Sequence, residues 1–173
     1  IIGSGSGVSP WTVLAQGIST KTDLSVGTTT FLISITILIF WLPLKQVPGI
    51  GTILNAIIIA STIDLTLPYL PQPNDTYLKL LQACMGIFVV GLGSGIYLIS
   101  NLGPGPRDGL MIGLQKQTGT SIPLIRTILE LSAVISGWFL GGVVGIGTVL
   151  FVFGIGPCVG IGLTLVEKIS KKP

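Results

Sequence analysis

The chain has 173 residues, of which 49% are hydrophobic and only 9% charged, with a formal net charge of +3. A soluble domain carries about 25% charged residues, so this composition excludes an ordinary soluble protein. The few, scattered basic residues exclude a nucleic-acid-binding surface. The sequence has no His, no Cys/His cluster, no nucleophile–base pair and no constellation of two carboxylates. We therefore predict no metal, no cofactor and no enzyme activity.

Five apolar segments are each long enough to cross a bilayer, for which about 17–25 residues suffice. Proline, glycine and turn-rich stretches separate them. The fifth contains Pro157, which predicts a kink or break. In chain order the predicted spans are 26–42, 50–67, 78–100, 122–140 and 144–166.

The two halves of the chain repeat each other at an offset of 96 residues, as from Gly7 to Gly103. The segment Gly49-Ile50-Gly51-Thr52 likewise recurs at 145–148. We therefore expect a single membrane domain over 1–173, built from repeat one (1–70) and repeat two (78–168). In repeat two the span 78–100 leads into the Gly-Pro motif, whereas repeat one has no such span. We thus expect that the first helix of repeat one is missing and that the intact protein spans six times.

Basic residues predict the orientation of the spans, because cytoplasmic loops are enriched in Lys and Arg. The tail 167–173 contains three lysines and is expected in the cytoplasm. Counting spans backwards places Lys45, Arg107 and Lys116 on the same side. Three spans per repeat is an odd number, so the two repeats are predicted to have inverted topologies.

A short helix with a Gly-Pro beginning is predicted in each repeat, over 7–22 and 103–118. About a dozen helical residues are too few to cross a bilayer. One interpretation is an amphipathic helix lying along the membrane interface. The other is a re-entrant helix whose amino-terminal N–H groups face the protein interior and form a site for an anion or carboxylate.

Two pairs of charged residues stand out in repeat two. Arg126 and Glu130 are four residues apart and share one helix face. They form either a structural ion pair or a functional pair, in which Arg126 is part of an anion site or Glu130 is a proton-coupling group. Arg107 and Asp108 begin the second short helix, where Asp108 is either a helix cap or a ligand.

Other polar and small residues have simpler expected roles. Asn55 is predicted to bond across helices, and Asp64 to be solvated near the end of its span. Cys84 and Cys158 are expected to be ordinary buried residues. Glycines on helix faces, several at four-residue spacing, favour close helix packing, within the protein or between proteins; they are Gly86/Gly91/Gly95, Gly137/Gly141 and Gly156/Gly160.

The motifs also resemble a known family. They are GPGPRDGLMIGL (103–114), Arg126 with Glu130, and GWFLGGVVGIGTVLFVFGIGP (137–157), with SPWTVLAQGIS (9–19), PGIGT (48–52) and Ile63-Asp64-Leu65 in the first half. Together they resemble the YczE-like family (YczE/YyaS/YitT-type) of small bacterial integral membrane proteins. The resemblance implies a six-helix protein of the bacterial inner membrane, of the transporter type.

The leading interpretation is a secondary transporter or permease of a small anionic or zwitterionic solute, embedded in the lipid bilayer. The rival is a non-catalytic accessory subunit that packs within a larger membrane complex. The Gly-lined helix faces suit a homodimer or such a complex. The predicted substrate-binding residues lie near the beginnings of the short helices and in the span that follows; they are Pro10, Trp11, Gly105, Arg107, Asp108, Arg126 and Glu130.

Overall fold

The computed structural model describes residues 7–71, 73–99 and 102–170, apart from the side chains at 98, 99, 122, 123 and 166–170. Within these residues the chain forms seven α-helices and one short 3-10 turn, and no strand. The all-α prediction is thereby confirmed. The helices are α1 (Pro10–Ser19), α2 (Val26–Trp41), α3 (Ile50–Thr66), α4 (Thr76–Ile99), α5 (Pro106–Thr118), α6 (Ile122–Phe139) and α7 (Ile146–Ser170), with the 3-10 turn Leu67–Tyr69 after α3.

Local signals set the helix ends close to where the sequence predicts them. Ser25 is the N-cap of α2, and its hydroxyl accepts a hydrogen bond from the Thr28 N–H at 3.0 Å. Gly119 ends α5 in the left-handed conformation, with φ of 69°.

Among the residues that the structure describes, three helices are long and apolar enough to cross a membrane: Ile50–Tyr69, Thr76–Tyr97 and Ile146–Leu165. Helix α2 is also apolar but has only 16 residues. The short helices α1 and α5, with 10 and 13 residues, cannot span a bilayer. The length and composition of these helices thus support a membrane protein.

Helix α7 runs without interruption from Ile146 to Ser170, with Pro157 inside it. Of the two predicted alternatives at Pro157, the break is therefore wrong, and the kink stays a prediction. A proline removes one backbone hydrogen bond. In an apolar surrounding, unwinding the helix would expose several more backbone groups without partners, so continuing the helix costs less.

The chain divides into two compact units. Unit 1 comprises Ile1–Ser9, Leu70–Asn101 and Val143–Pro173, and is dominated by the pairing of α4 with α7. Close approach depends on small residues there: a Cβ added to Gly91 would overlap Cys158, and one added to Gly95 would lie 2.8 Å from the Cα of Gly162. The predicted role of these glycines in helix packing is confirmed for Gly91 and Gly95.

Unit 2 comprises Pro10–Tyr69 and Leu102–Gly142, and it contains both short helices. Helix α1 packs against α6 and α2, and α5 against α2 and α6. Val13 and Ala15 of α1 are completely buried, and Gly137 of α6 lies directly against Val13 and Leu14. The short helices are thus part of the packed interior of unit 2. Its buried core cluster is Ala15, Ile33, Ile37, Trp41, Leu44 and Leu110.

The Gly-Pro segment of repeat one is bound by the Gly-Ile-Gly-Thr segment of repeat two, within unit 1. Gly7 has a φ of +104°, which L side chains rarely adopt, and it lies against Gly145 and Thr148. The Val8 N–H donates to the hydroxyl of Thr148 at 3.1 Å. This contact therefore joins residues 140 positions apart in the sequence.

The reciprocal contact occurs within unit 2. Gly103 has a φ of +113° and lies against Thr52. The Thr52 hydroxyl donates to the carbonyl of Pro104 at 2.7 Å, and the Gly51 N–H donates to that of Leu102 at 2.9 Å. Residues at the 96-residue offset thus make corresponding contacts, each between the two repeats.

Asp64 is half-buried rather than solvated, contrary to the sequence-based expectation. Its carboxylate accepts a hydrogen bond from the Gly27 N–H at 2.7 Å and another from the Ser25 hydroxyl. Both donors belong to the amino-terminal end of α2, whose N–H groups have no partners within the helix. Asp64 of α3 therefore caps α2 and joins the two helices.

Candidate solute-binding site

The candidate site begins at the amino terminus of α5. Gly105 is the N-cap and has no side chain to cap the helix. A Cβ added there would lie 3.3 Å from both Asn55 Oδ1 and Asp108 Oδ2. Asp108 lies in the first turn, where the helix dipole favours a negative charge. Gly105 therefore leaves room between Asn55 of α3 and the carboxyl group of Asp108.

Arg107 of α5 stacks on Trp11 of α1, with its guanidinium carbon 5.0 Å from the centroid of the ring. An arginine over an indole face is attracted by the ring quadrupole, and more strongly where water is excluded. Both side chains are half-buried. Pro10 begins α1 with its side chain buried and contributes shape rather than a polar group.

Arg126 and Glu130 of α6 form the predicted ion pair, with 2.9 Å between Nε and Oε1. The Arg126 side chain is 39% exposed and that of Glu130 14%. The charge of Arg126 acts on Asp108, and that of Glu130 on Arg107. Two cations and two carboxyl groups from α5 and α6 therefore form one cluster inside unit 2.

Burial changes the proton affinity of the two α5 groups, which lie outside the membrane-spanning segments. It lowers the pKa of Arg107 to about 10, against the opposing effects of Asp108 and Glu130. Arg107 therefore remains charged at neutral pH. Burial also raises the pKa of Asp108, although Arg126 and Arg107 act in the opposite direction.

The raised pKa of Asp108 predicts a pH-dependent stability that Asp108→Asn should remove. Between the ordinary value of 3.8 and the raised one, the folded chain holds a proton that the unfolded chain releases. The free energy of unfolding therefore falls as pH rises through this window. Unfolding in detergent, measured from pH about 4 to about 8, should show a flatter profile for D108N than for the wild type. A matched change at the exposed Asp23, D23N, should leave the profile unchanged; a profile unaltered by D108N contradicts the prediction.

Two residues that hold the site were missed by the sequence analysis. Trp41 is buried, its Nε1 donates to the carbonyl of Pro106 at 2.9 Å, and its ring fills the space beside Gly109. Thr52 is fully buried and bonds to Pro104, just before the site. The recurrence of Gly-Ile-Gly-Thr in both repeats could have indicated a structural role for Thr52. Nothing in the local sequence distinguishes Trp41 from an ordinary apolar residue.

The charged groups of the cluster can bind ligands of either sign. Arg107 and Arg126 can donate to an anion, whereas Glu130 and Asp108 can accept from a cationic group. Among the residues described, no group of three or more His, Cys, Asp or Glu side chains lies together as a metal site would require. Of the predicted site residues, Trp11, Gly105, Arg107, Asp108, Arg126 and Glu130 lie around this cluster, with Pro10 beside Trp11 in sequence.

The apolar helices define a helical membrane protein, and unit 2 contains the charged cluster. The chain belongs to the family of unknown function DUF6198, whose model matches residues 1–163. It is 42% identical over 173 residues to an uncharacterized protein of Haemophilus influenzae, across all of this chain and 79% of that protein.

Two relatives from Bacillus subtilis confirm the YczE-like resemblance. The uncharacterized membrane protein YczE is 32% identical over 151 residues, which are 87% of this chain and 70% of YczE. The uncharacterized protein YyaS is 30% identical over 171 residues, which are 96% of this chain and 85% of YyaS. No solved structure matches the chain.

Proposed function

We propose that the protein is a secondary transporter or permease of the bacterial inner membrane, and that it binds a small anionic or zwitterionic solute at the cluster in unit 2. The observation that carries the proposal is the guanidinium of Arg107, stacked on Trp11 and accompanied by Asp108, Arg126 and Glu130. A chain with 9% charged residues places four of them together. Charges within a membrane protein are costly, and they commonly mark solute or ion pathways.

The packing of the short helices supports the re-entrant interpretation over the interfacial one. A helix lying along the interface would keep a polar face towards headgroups and water. In α5 the charged residues of the first turn, Arg107 and Asp108, are instead half-buried, and the α5 amino terminus lies beside Asn55. The first turn of α5 then presents N–H groups and a partial positive charge towards the solute.

The proposed topology has inverted repeats and a cytoplasmic carboxyl terminus. It predicts that Gln46, after α2, lies in the cytoplasm, whereas Tyr69, after α3, lies outside. With Cys84 and Cys158 replaced, a membrane-impermeant thiol reagent should label Tyr69→Cys in intact cells. It should label Gln46→Cys only after permeabilisation. Labelling of both positions from the same side would contradict this topology.

Binding to the purified protein tests the proposed solute class. We expect small carboxylates, phosphates or amino acids to raise the unfolding temperature in detergent, and uncharged sugars to leave it unchanged. Arg107→Gln should abolish the stabilisation. Lys116→Gln also removes one positive charge, but from the exposed last turn of α5, and should preserve the stabilisation by the solute. The same solute should enter proteoliposomes; stabilisation that survives R107Q would contradict the assigned site.

A second candidate function, an accessory subunit of a larger membrane complex, is favoured by one feature of α7. Cβ atoms added to Gly156 and Gly160 would meet nothing within 4 Å. Small residues exposed at this spacing permit close contact with a helix of another protein. If no solute binds, and if Gly156→Leu with Gly160→Leu releases the protein from a complex isolated from its own membrane, this second function replaces the first.

A further inference from the structure

A small space beside Gly105 is bounded by two polar side chains of unit 2. A Cβ added to Gly105 would lie 3.3 Å from Asn55 Oδ1 and from Asp108 Oδ2, and the next nearest atom, Asn55 Cγ, would be 3.7 Å away. The backbone of Gly105, with φ of −58° and ψ of 158°, is one that any residue can adopt. The backbone therefore does not require glycine here, and the missing side chain keeps the space between the two oxygens open.

Asn55 is the polar side chain that α3 contributes to this space. It is half-buried in an apolar helix that is long enough to cross a membrane. The sequence predicts that Asn55 bonds across helices, but its amide has no hydrogen-bonding partner among the residues that the structure describes. An amide in apolar surroundings is costly without such a partner. A solute group that bonds to Asn55 would therefore remove a cost that the free protein bears.

The two oxygens beside Gly105 favour a cationic donor. Asn55 Oδ1 and the carboxylate of Asp108 are both hydrogen-bond acceptors, and both face the same space. An ammonium group placed there can donate to both oxygens at the usual distance of about 2.7–3.2 Å. It would also lower the raised pKa of Asp108, because a nearby positive charge stabilises the carboxylate.

The charge balance of the cluster favours a solute without net charge. The cluster has two guanidinium and two carboxyl groups, so its net charge is zero when all four are ionised. A net-neutral solute leaves this balance unchanged. A simple anion would add an uncompensated charge inside a membrane protein, which is costly.

We propose that the space beside Gly105 binds the ammonium group of the solute, and that the solute is therefore a zwitterion of the α-amino acid type. This inference rests on the proposed function and specifies its solute. Arg107 precedes Asp108 in α5, and the charge of Arg126 acts on Asp108. Cationic groups for the carboxylate thus lie next to the acceptors for the ammonium. The two charges of an α-amino acid are also close neighbours, so they match this arrangement.

Matched solutes test the proposal on the purified protein. Each α-amino acid is compared with the carboxylate that lacks its amino group and with the hydroxy acid that carries a hydroxyl in its place. Two such sets are alanine, propionate and lactate, and glutamate, glutarate and 2-hydroxyglutarate. Stabilisation against thermal unfolding in detergent gives the affinities. We expect the amino acid of a set to bind at least about tenfold more tightly than either matched solute, because both lack the charge-assisted hydrogen bonds of the ammonium.

Two substitutions locate this preference. Asn55→Leu removes one acceptor, and Gly105→Ala places a methyl group between the two oxygens on a backbone that accepts it. Each should lower the affinity for the amino acid by about tenfold and leave that for the carboxylate unchanged. Thr62→Val removes a hydroxyl from an exposed position of α3 and, as the matched control, should keep the preference. The unfolding temperature without solute shows whether each variant folds, and G105A carries the test if N55L does not fold.

Two results would overturn the inference while leaving the proposed function intact. One is a carboxylate or hydroxy acid that binds as tightly as its matched amino acid. The other is a preference for the amino acid that survives in the folded variants at positions 55 and 105. If no member of any set binds, the proposed function fails and the inference falls with it.

Discussion

Replacing Arg126 and Glu130 together should destabilise the protein less than replacing Arg126 alone. Arg126→Leu leaves Glu130, which is 14% exposed, without its ion-pair partner. Breaking a buried pair costs about 3–5 kcal/mol, and we expect about 2 kcal/mol here because Arg126 is partly solvent-exposed. Glu130→Leu should cost less than R126L, since the 39% exposed Arg126 side chain can turn towards water. The double replacement removes both desolvation penalties.

Solute binding then separates a structural pair from a functional one. Unfolding in detergent gives the free energies of the two single variants and the double, and the thermal-shift assay gives their binding. If the pair belongs to the solute site, the double variant should fold and fail to bind. A stable double variant that still binds and transports would assign Arg126 and Glu130 to helix packing alone.

Two neighbouring glycines of α4 should respond in opposite directions to the same substitution. A Cβ at Gly91 would overlap Cys158, whereas one at Gly93 would meet nothing within 4 Å. Gly91→Ala must push α4 from α7 and should lower the free energy of unfolding by about 1–3 kcal/mol. Gly93→Ala only improves helix propensity and should raise it by up to about 1 kcal/mol.

Unfolding of G91A and G93A in the same detergent, monitored by circular dichroism, tests the predicted opposite changes in the free energy of unfolding. Because G93A adds the same methyl group to the same helix, it controls for altered detergent binding. Equal effects of the two substitutions would mean that α4 and α7 are not packed through Gly91. Gly95→Ala, which would approach Val159 and Gly162, should behave like G91A.

The positions of the helices were predictable because their ends depend on local chemistry. The predicted span 26–42 corresponds to α2 (Val26–Trp41), and the predicted span 122–140 corresponds to α6 (Ile122–Phe139). Proline fixes φ and lacks an N–H, and glycine permits conformations that other residues rarely adopt, in any context, so both mark these ends directly. Pro157 is an instructive exception, since the cost of unwinding α7 depends on its apolar surroundings and not on the residue itself.

The sequence predicted the charged members of the site better than the residues that hold them. Charges are rare in this chain, so Arg107 and Glu130 were conspicuous. The stacking of Arg107 on Trp11, the capping of α2 by Asp64 and the contact of Trp41 with Pro106 all depend on which helices are neighbours. Helical periodicity carries no information about neighbours, so these contacts could not be predicted from the sequence.

The reciprocal bonds between the repeats impose an order on biosynthesis. The Gly51 N–H and the Thr52 hydroxyl bond to Leu102 and Pro104, which leave the ribosome about 50 residues later. The Val8 N–H can bond to the Thr148 hydroxyl only after a further 140 residues have been synthesised. Such long-range contacts form late, because the entropy of closing long loops must be overcome first. Repeat one therefore stays incomplete until the contacting segments of repeat two have been made.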